Sequence, residues 1–178
     1  MTDGKDAEKQ LASFLAKYTP EIANLAEEIR GEMRKLYPTA LELVYDNYNA
    51  LVIGYCPSEK PSEAIFSIVL YPKWVSLFFL QAKGLPDPNR ILCGNGTAAR
   101  HIVLPAAAAL YLPEVRALML KAEMRAKVPF DPKAAHRLII RSVSPTQRPR
   151  RPAGEGDVRD ARPAAKNKGK KAPASARS

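Results

Sequence analysis

The spacing of apolar residues changes period twice along this chain. In "LASFLAKY", Leu11, Phe14, Leu15 and Tyr18 recur at i, i+3, i+4 and i+7, the mark of one buried helical face. Thr19 is placed to accept from the free N–H groups of a second helix, and Pro20 suits its first position, where a missing N–H does no harm. Ile22, Leu25, Ile29, Met33 and Leu36 carry that helix to a stop at Pro38. From Leu41 the pattern becomes strand-like. "LELVYDN" and "ALVIGYC" read as two strands around the turn 47–49, and "AIFSIVLY" and "WVSLFFLQ" as two more joined at Pro72 and Lys73. "SEKPSE" and "GLPDPNR" are loops, the first polar and the second set by two prolines. The central strands are almost continuously apolar, which predicts cover on both faces. After Ile91–Cys93 and a glycine turn comes the strand "ARHIVL", ended by Pro105.

The helical period returns in "PEVRALMLKAEMRAK". Val115, Leu118, Met119 and Ala122 form its inner face, with Glu114 in the first turn and Lys121, Arg125 and Lys127 toward the end, as the helix dipole favours. "HRLIIRSV" closes the set as a last short strand. The predicted class is α+β, with one domain over residues 8–143. Beyond it, 144–178 has five prolines and almost no large apolar residue, and such a composition predicts a disordered tail.

Charge sharpens that division. Of the formal net charge of +10, the segment 144–178 holds +7 and the remainder only +3. No run approaches the roughly 20 apolar residues that span a bilayer, so no membrane partner is expected. The opening "MTDGKDAEKQ" lacks the apolar centre of a signal peptide, and two cysteines are too few for a disulfide framework. A cytoplasmic protein with free thiols is the expectation.

Candidate chemistry begins with "ILCGNGTAARHIVL". A phosphate cradle needs a helix starting directly after the glycines, so that its N–H groups point at the anion. Here a strand pattern follows Gly94-Asn95-Gly96, so the loop is expected to turn the chain, with Asn95 and Gly96 supplying positive φ. Arg100 and His101 then point to opposite faces of the strand. Cys56, Cys93, His101 and His136 have no metal-ligand spacing, and no G-x-S-x-G occurs; no metal site or catalytic set is assigned, and the cofactor is left unknown. Glu42 and Asp46 need no fixed spacing to act as oxygen ligands.

Two candidate sites remain. "YDNYNALVIGY" crowds polar groups and rings into a short connection. Either Asp and Asn simply favour the turn, or Tyr45, Tyr48 and Trp74 wall a cleft, with Asp46, Asn49, Lys73, Arg100 and His101 as its polar contacts. The occupant would be a small ligand or a protein. In the tail, Arg148, Arg150, Arg151, Lys166, Lys168, Lys170 and Lys171 suit weak, nonspecific, salt-sensitive contact with nucleic acid, or else only keep the tail soluble.

The order "LPDPNRILCGNGTAARHIVL" followed by "LPEVRALMLKAE" resembles the YdhG-like domain family, a bacterial domain of unknown function. "YTPEIANLAEEIRGEMRKLYP" and "AIFSIVLYPKWVSLFFLQ" fit the same pattern, over roughly residues 11–125. The resemblance implies a curved antiparallel sheet packed against N-terminal and C-terminal helices. One branch of that family is described as an intracellular iron chaperone; many relatives carry a histidine in the strand where this chain has Trp74. Together these readings give a non-catalytic binding module first, a nucleic-acid-associated accessory protein second, and an enzyme third.

Overall fold

A computed structural model describes residues 4–154. Helix α1 (Gly4–Leu15) turns Ala7, Leu11, Phe14 and Leu15 inward, so it begins earlier than the apolar spacing alone suggests. Helix α2 (Pro20–Leu36) starts as its sequence predicts. Thr19 sits outside the helix at φ −62°, ψ 151°, its hydroxyl accepts from Ile22 N–H at 3.4 Å, and Pro20 follows. Ile22, Ala26, Ile29 and Met33 form the buried stripe.

Six strands follow: β1 (Leu41–Asp46), β2 (Leu51–Cys56), β3 (Phe66–Leu70), β4 (Val75–Phe79), β5 (Arg100–Leu104) and β6 (Leu138–Val143), arranged in one sheet of order β5-β4-β3-β2-β1-β6. The run from β1 to β5 is antiparallel throughout. β6 alone is parallel to its neighbour β1, and a bulge at Arg141 separates the pairs Val44–Ile140 and Tyr45–Ser142. A parallel neighbour needs a long crossover. The 3-10 turn Ala107–Tyr111 and helix α3 (Pro113–Met124) lie on that connection from one sheet edge to the other.

All three helices pack on one face. Val44, Leu51, Ile53, Tyr55, Phe66, Ile68, Leu70, Val75, Leu77 and Phe79 meet Leu11, Phe14, Ile29, Met33, Leu118 and Met119 in a single core. The other face carries a small cluster, Leu41, Leu43, Cys56 and Ala64, with Tyr45, Leu80 and Ile139 against it. None of its members comes from an α-helix, so the expected cover on both faces holds for one face only. Apolar composition could not separate the two cases, because Ser67, Ser76, Val69 and Cys56, on the face without helices, are buried as well. No helix among the described residues is long and apolar enough to cross a membrane.

The glycine loop turns the chain, as expected, but by different residues. Cys93 and His101 exchange backbone hydrogen bonds of 2.7 and 3.1 Å across it. Gly94 holds the positive φ, 98°, whereas Asn95 and Gly96 do not. Gly96 is needed for space, since a Cβ there would sit 2.5 Å from the Ala99 carbonyl oxygen. No helix opens at this loop; β5 does.

The boundary after Val143 requires correction. Ser144 N–H donates to the Asp46 carbonyl at 2.8 Å and Arg148 N–H to the Tyr48 carbonyl at 2.9 Å. Arg150, only 5% exposed, reaches the Asp46 carboxylate at 2.8 Å and also donates to the carbonyls of Asn47 and Tyr48. Arg151 donates to the carbonyls of Lys17 and Ala16. Composition misled because a polar segment can dock through charge and backbone bonds without burying apolar area. The tail lysines Lys166, Lys168, Lys170 and Lys171 lie outside the described residues.

This docking is testable. Arg150→Ala leaves the buried Asp46 carboxylate with Lys17 as its one remaining cation. The variant is expected to lose about 3 kcal/mol in urea unfolding, against a change within about 0.5 kcal/mol for the exposed Arg148→Ala. Equal stability of Arg150→Ala and the parent would show that the segment does not hold the body.

Candidate functional site

Antiparallel register brings two turns to the same end of the sheet. Leu51 faces Leu70 in the β2–β3 pair, so the β1–β2 turn (47–50) and the β3–β4 turn (71–74) stand side by side. Asn47 N–H to the Ala50 carbonyl (3.1 Å) closes the first, and Tyr71 N–H to the Trp74 carbonyl (2.9 Å) closes the second. Tyr18 pins both from below. Its buried hydroxyl accepts from Leu51 N–H and donates to the Leu70 carbonyl, each at 3.0 Å.

The docked segment Arg148–Pro149 supplies a third wall. Asn49, Tyr71, Pro72, Trp74, Arg148 and Pro149 enclose a cleft of about 590 Å³. The Tyr71 and Trp74 rings lie 5.1 Å apart at 32°. Tyr48 is 49% exposed, and the Arg148 guanidinium stands over its ring at 5.6 Å. Trp74 is 43% exposed, a large apolar area left open at the rim. Exposed Lys73 is at the tip of the second turn. Among the described residues, no carboxylate lines this cleft. Asp46 lies below it, with its charge paired to Lys17 at 2.7 Å and Arg150 at 2.8 Å. Burial alone would push the Asp46 carboxyl up; hydrogen bonding to Lys17, Gln147 and Arg150 outweighs burial and holds it below its ordinary value.

Of the residues expected here, Asn49 and Trp74 line the cleft, while Tyr48 and Lys73 sit on the two flanking turns outside its lining. Tyr45, Asp46, Arg100 and His101 are not part of it. Tyr45 points to the face without helices, where its hydroxyl is buried with no hydrogen-bond partner among the described residues. Asp46, one position on, points to the helix face. Arg100 and His101 pair with Phe79 and Phe78 at the far end of β4, whereas Trp74 precedes Val75 at its near end. Arg100 donates to the Leu92 carbonyl at 2.8 Å, and His101 stacks on Phe78 at 4.8 Å. They do fall on opposite faces, as the alternation predicts. Tyr71 was missed because nothing in its spacing separates a cleft aromatic from a core one. Arg148, expected as a tail contact, lines this cleft, where burial of Arg150 two residues on places it.

A second polar constellation was also missed. Glu42, fully buried on β1, meets Arg30 at 2.7 Å, Arg34 at 2.8 Å and His136 at 3.2 Å, while Glu8 closes onto the same arginines at 2.8 and 2.6 Å. The Tyr55 hydroxyl adds a contact of 3.4 Å. The available signal was a lone glutamate in an apolar strand, facing a helix with arginines at i and i+4. A cavity of about 290 Å³, lined by Glu8, His136, Arg137, Leu138 and neighbours, opens beside it. Burial would push the Glu42 carboxyl up; hydrogen bonds from His136, Arg30 and Arg34 overcome that and hold it far below the usual carboxylate range. Burial also pushes the Cys56 thiol up, to about 12, which leaves it unreactive. Among the described residues no three His, Cys, Asp or Glu side chains are grouped to hold a metal.

Glu42 and Asp46 both have depressed folded values. Their stabilisation is therefore complete above the unfolded carboxylate range, near pH 4.3, declines as pH falls below it, and is gone only once pH has passed through the depressed folded values. Urea unfolding followed from pH 7 to pH 3 is expected to show stability falling in that lower window. Glu42→Gln should flatten the fall while lowering stability at pH 7, because Arg30 and Arg34 keep only the partly exposed Glu8 as their anion; an acid slope unchanged by Glu42→Gln would assign it elsewhere. No protein-family model, curated protein or solved structure matches this chain.

Proposed function

We propose that this protein is a binding module, of the YdhG-like type its sequence resembles, whose cleft at Trp74 receives a planar anionic ligand. One observation carries the reading: open aromatic surface shares a cleft with a guanidinium, Arg148, that makes no ion pair among the described residues, and no described carboxylate is in the lining. An aromatic or conjugated molecule gains by lying against the Trp74 and Tyr71 rings, and its negative group gains from Arg148, with Lys73 close by in the chain. Asn49 offers both a donor and an acceptor for orienting it. The walls hold no histidine, cysteine, serine or carboxylate, and burial raises the Tyr71 phenol, so recognition is supported better than proton transfer or nucleophilic attack. The cleft also needs little reorganisation, because Tyr18 and Arg150 already fix its floor and one wall.

The reading that assigns nucleic-acid binding to the tail is weakened at two of its seven residues. Arg150 spends its charge on Asp46, and Arg151 is committed to the carbonyls of Ala16 and Lys17. Exposed Arg148 remains available, but as a wall of the cleft.

Trp74 is the only tryptophan, so its fluorescence reports directly on the cleft. Titration with AMP, FMN and 4-aminobenzoate is expected to change that emission saturably for at least one of them. Arg148→Ala and Lys73→Ala should each weaken the effective ligand, Arg148→Ala by about tenfold, equivalent to about 1.4 kcal/mol. Calorimetry with Trp74→Ala should show a comparable loss. Saturable binding that Arg148→Ala and Trp74→Ala both leave intact would move the site away from this cleft; no response to any planar anion would remove the proposal.

A further inference from the structure

Helix α3 is apolar on two opposite faces. Val115, Leu118, Met119 and Ala122 face the core, as a surface helix requires. On the reverse side Pro113, Ala117, Leu120 and Met124 recur at helical spacing and form a second stripe. Leu120 is 48% exposed and Met124 86%. Tyr111 and Leu112, each about half exposed, extend the apolar surface just ahead of the helix. An apolar stripe along a whole helix is more than the scattered apolar exposure ordinary surfaces carry.

We infer that this stripe is covered by the α3 of a second copy of the chain, packed antiparallel across a two-fold axis. The charges beside the stripe choose the partner and its direction. Glu114 and Lys121 lie seven residues apart along one flank, and neither makes an ion pair among the described residues. In an antiparallel pair, equivalent flanks face each other, so Glu114 of each copy meets Lys121 of the other, twice by symmetry. A parallel two-fold pair would instead set this flank against the opposite one, which carries Arg116 and Glu123, and would leave Glu114 and Lys121 without each other. The opposite flank does not compete, because Arg116 and Glu123 are turned inward onto the Tyr37 hydroxyl.

The same register matches shapes. Pairing Glu114 with Lys121 puts the axis between positions 117 and 118, so Leu120 falls between Pro113 and Ala117 of its counterpart, a large residue against smaller ones. Met124 arrives over Tyr111 and Leu112. The contact rests on α3 and the two residues ahead of it, and no cleft residue takes part, so it stands or falls separately from the ligand proposal.

Sedimentation equilibrium of the full chain at about 100 µM, where a micromolar contact is filled, is expected to give twice the chain mass, diluting to the single-chain mass. Leu120→Asp should give the single-chain mass throughout, with circular dichroism unchanged because the position is already half exposed. Glu114→Lys and Lys121→Glu should each weaken association on the order of tenfold, and the double variant should restore it. A single-chain mass for the parent at that concentration overturns the inference. So does a dimer that Leu120→Asp leaves intact, or a double variant as weak as the single ones.

Discussion

The first strand carries two carboxylates into the interior, and the rest of the molecule is tied to them. Glu42 and Asp46 are four residues apart on β1, so strand alternation turns both toward the helices. Arg30 and Arg34 attach α2 to Glu42, and Glu8 draws α1 onto the same arginines. His136, just ahead of β6, attaches the returning edge strand. Lys17 and Arg150 close on Asp46 from the α1–α2 connection and the C-terminal segment. Buried ion pairs return little net stability after desolvation, yet an unpaired buried carboxylate is costly. The pairs thus act mainly as addresses: each segment has one place where its charge is satisfied.

That logic shapes the cleft. Arg150 is held by Asp46, and the chain leading into it must then pass the two turns, which is what presents Arg148 and Pro149 beside Trp74. Tyr18 complements this by binding Leu51 and Leu70 at the adjoining ends of β2 and β3. The cleft is a place where three separately anchored segments meet, with aromatic rings left at the gap. The asymmetry of the sheet has a related origin. All helices crowd onto the carboxylate face, while the other keeps only a small cluster of its own. α3 lies on the long crossover, with one apolar face in that crowd and a second turned away from it.

Elements set by local preference could be read from the residues in order. Thr19 with Pro20, the i, i+4 stripe of α2, the proline that opens α3 and the apolar runs of β1 to β4 each state their own conformation, since caps, period and turn chemistry act within a few residues. The chain reversal at Gly94–Gly96 was legible for the same reason, although the residue with positive φ was not. Two residues of the cleft lining, Asn49 and Trp74, were legible too, because they lie on two short turns. Tertiary structure alone decided the parallel placement of β6, the union of those turns, the exclusion of Arg100 and His101, and the recruitment of Arg148 through Arg150. Each of these joins groups far apart in sequence, and their partner is chosen by where a buried charge finds its counter-charge, a quantity that exists only once the strands have been laid side by side.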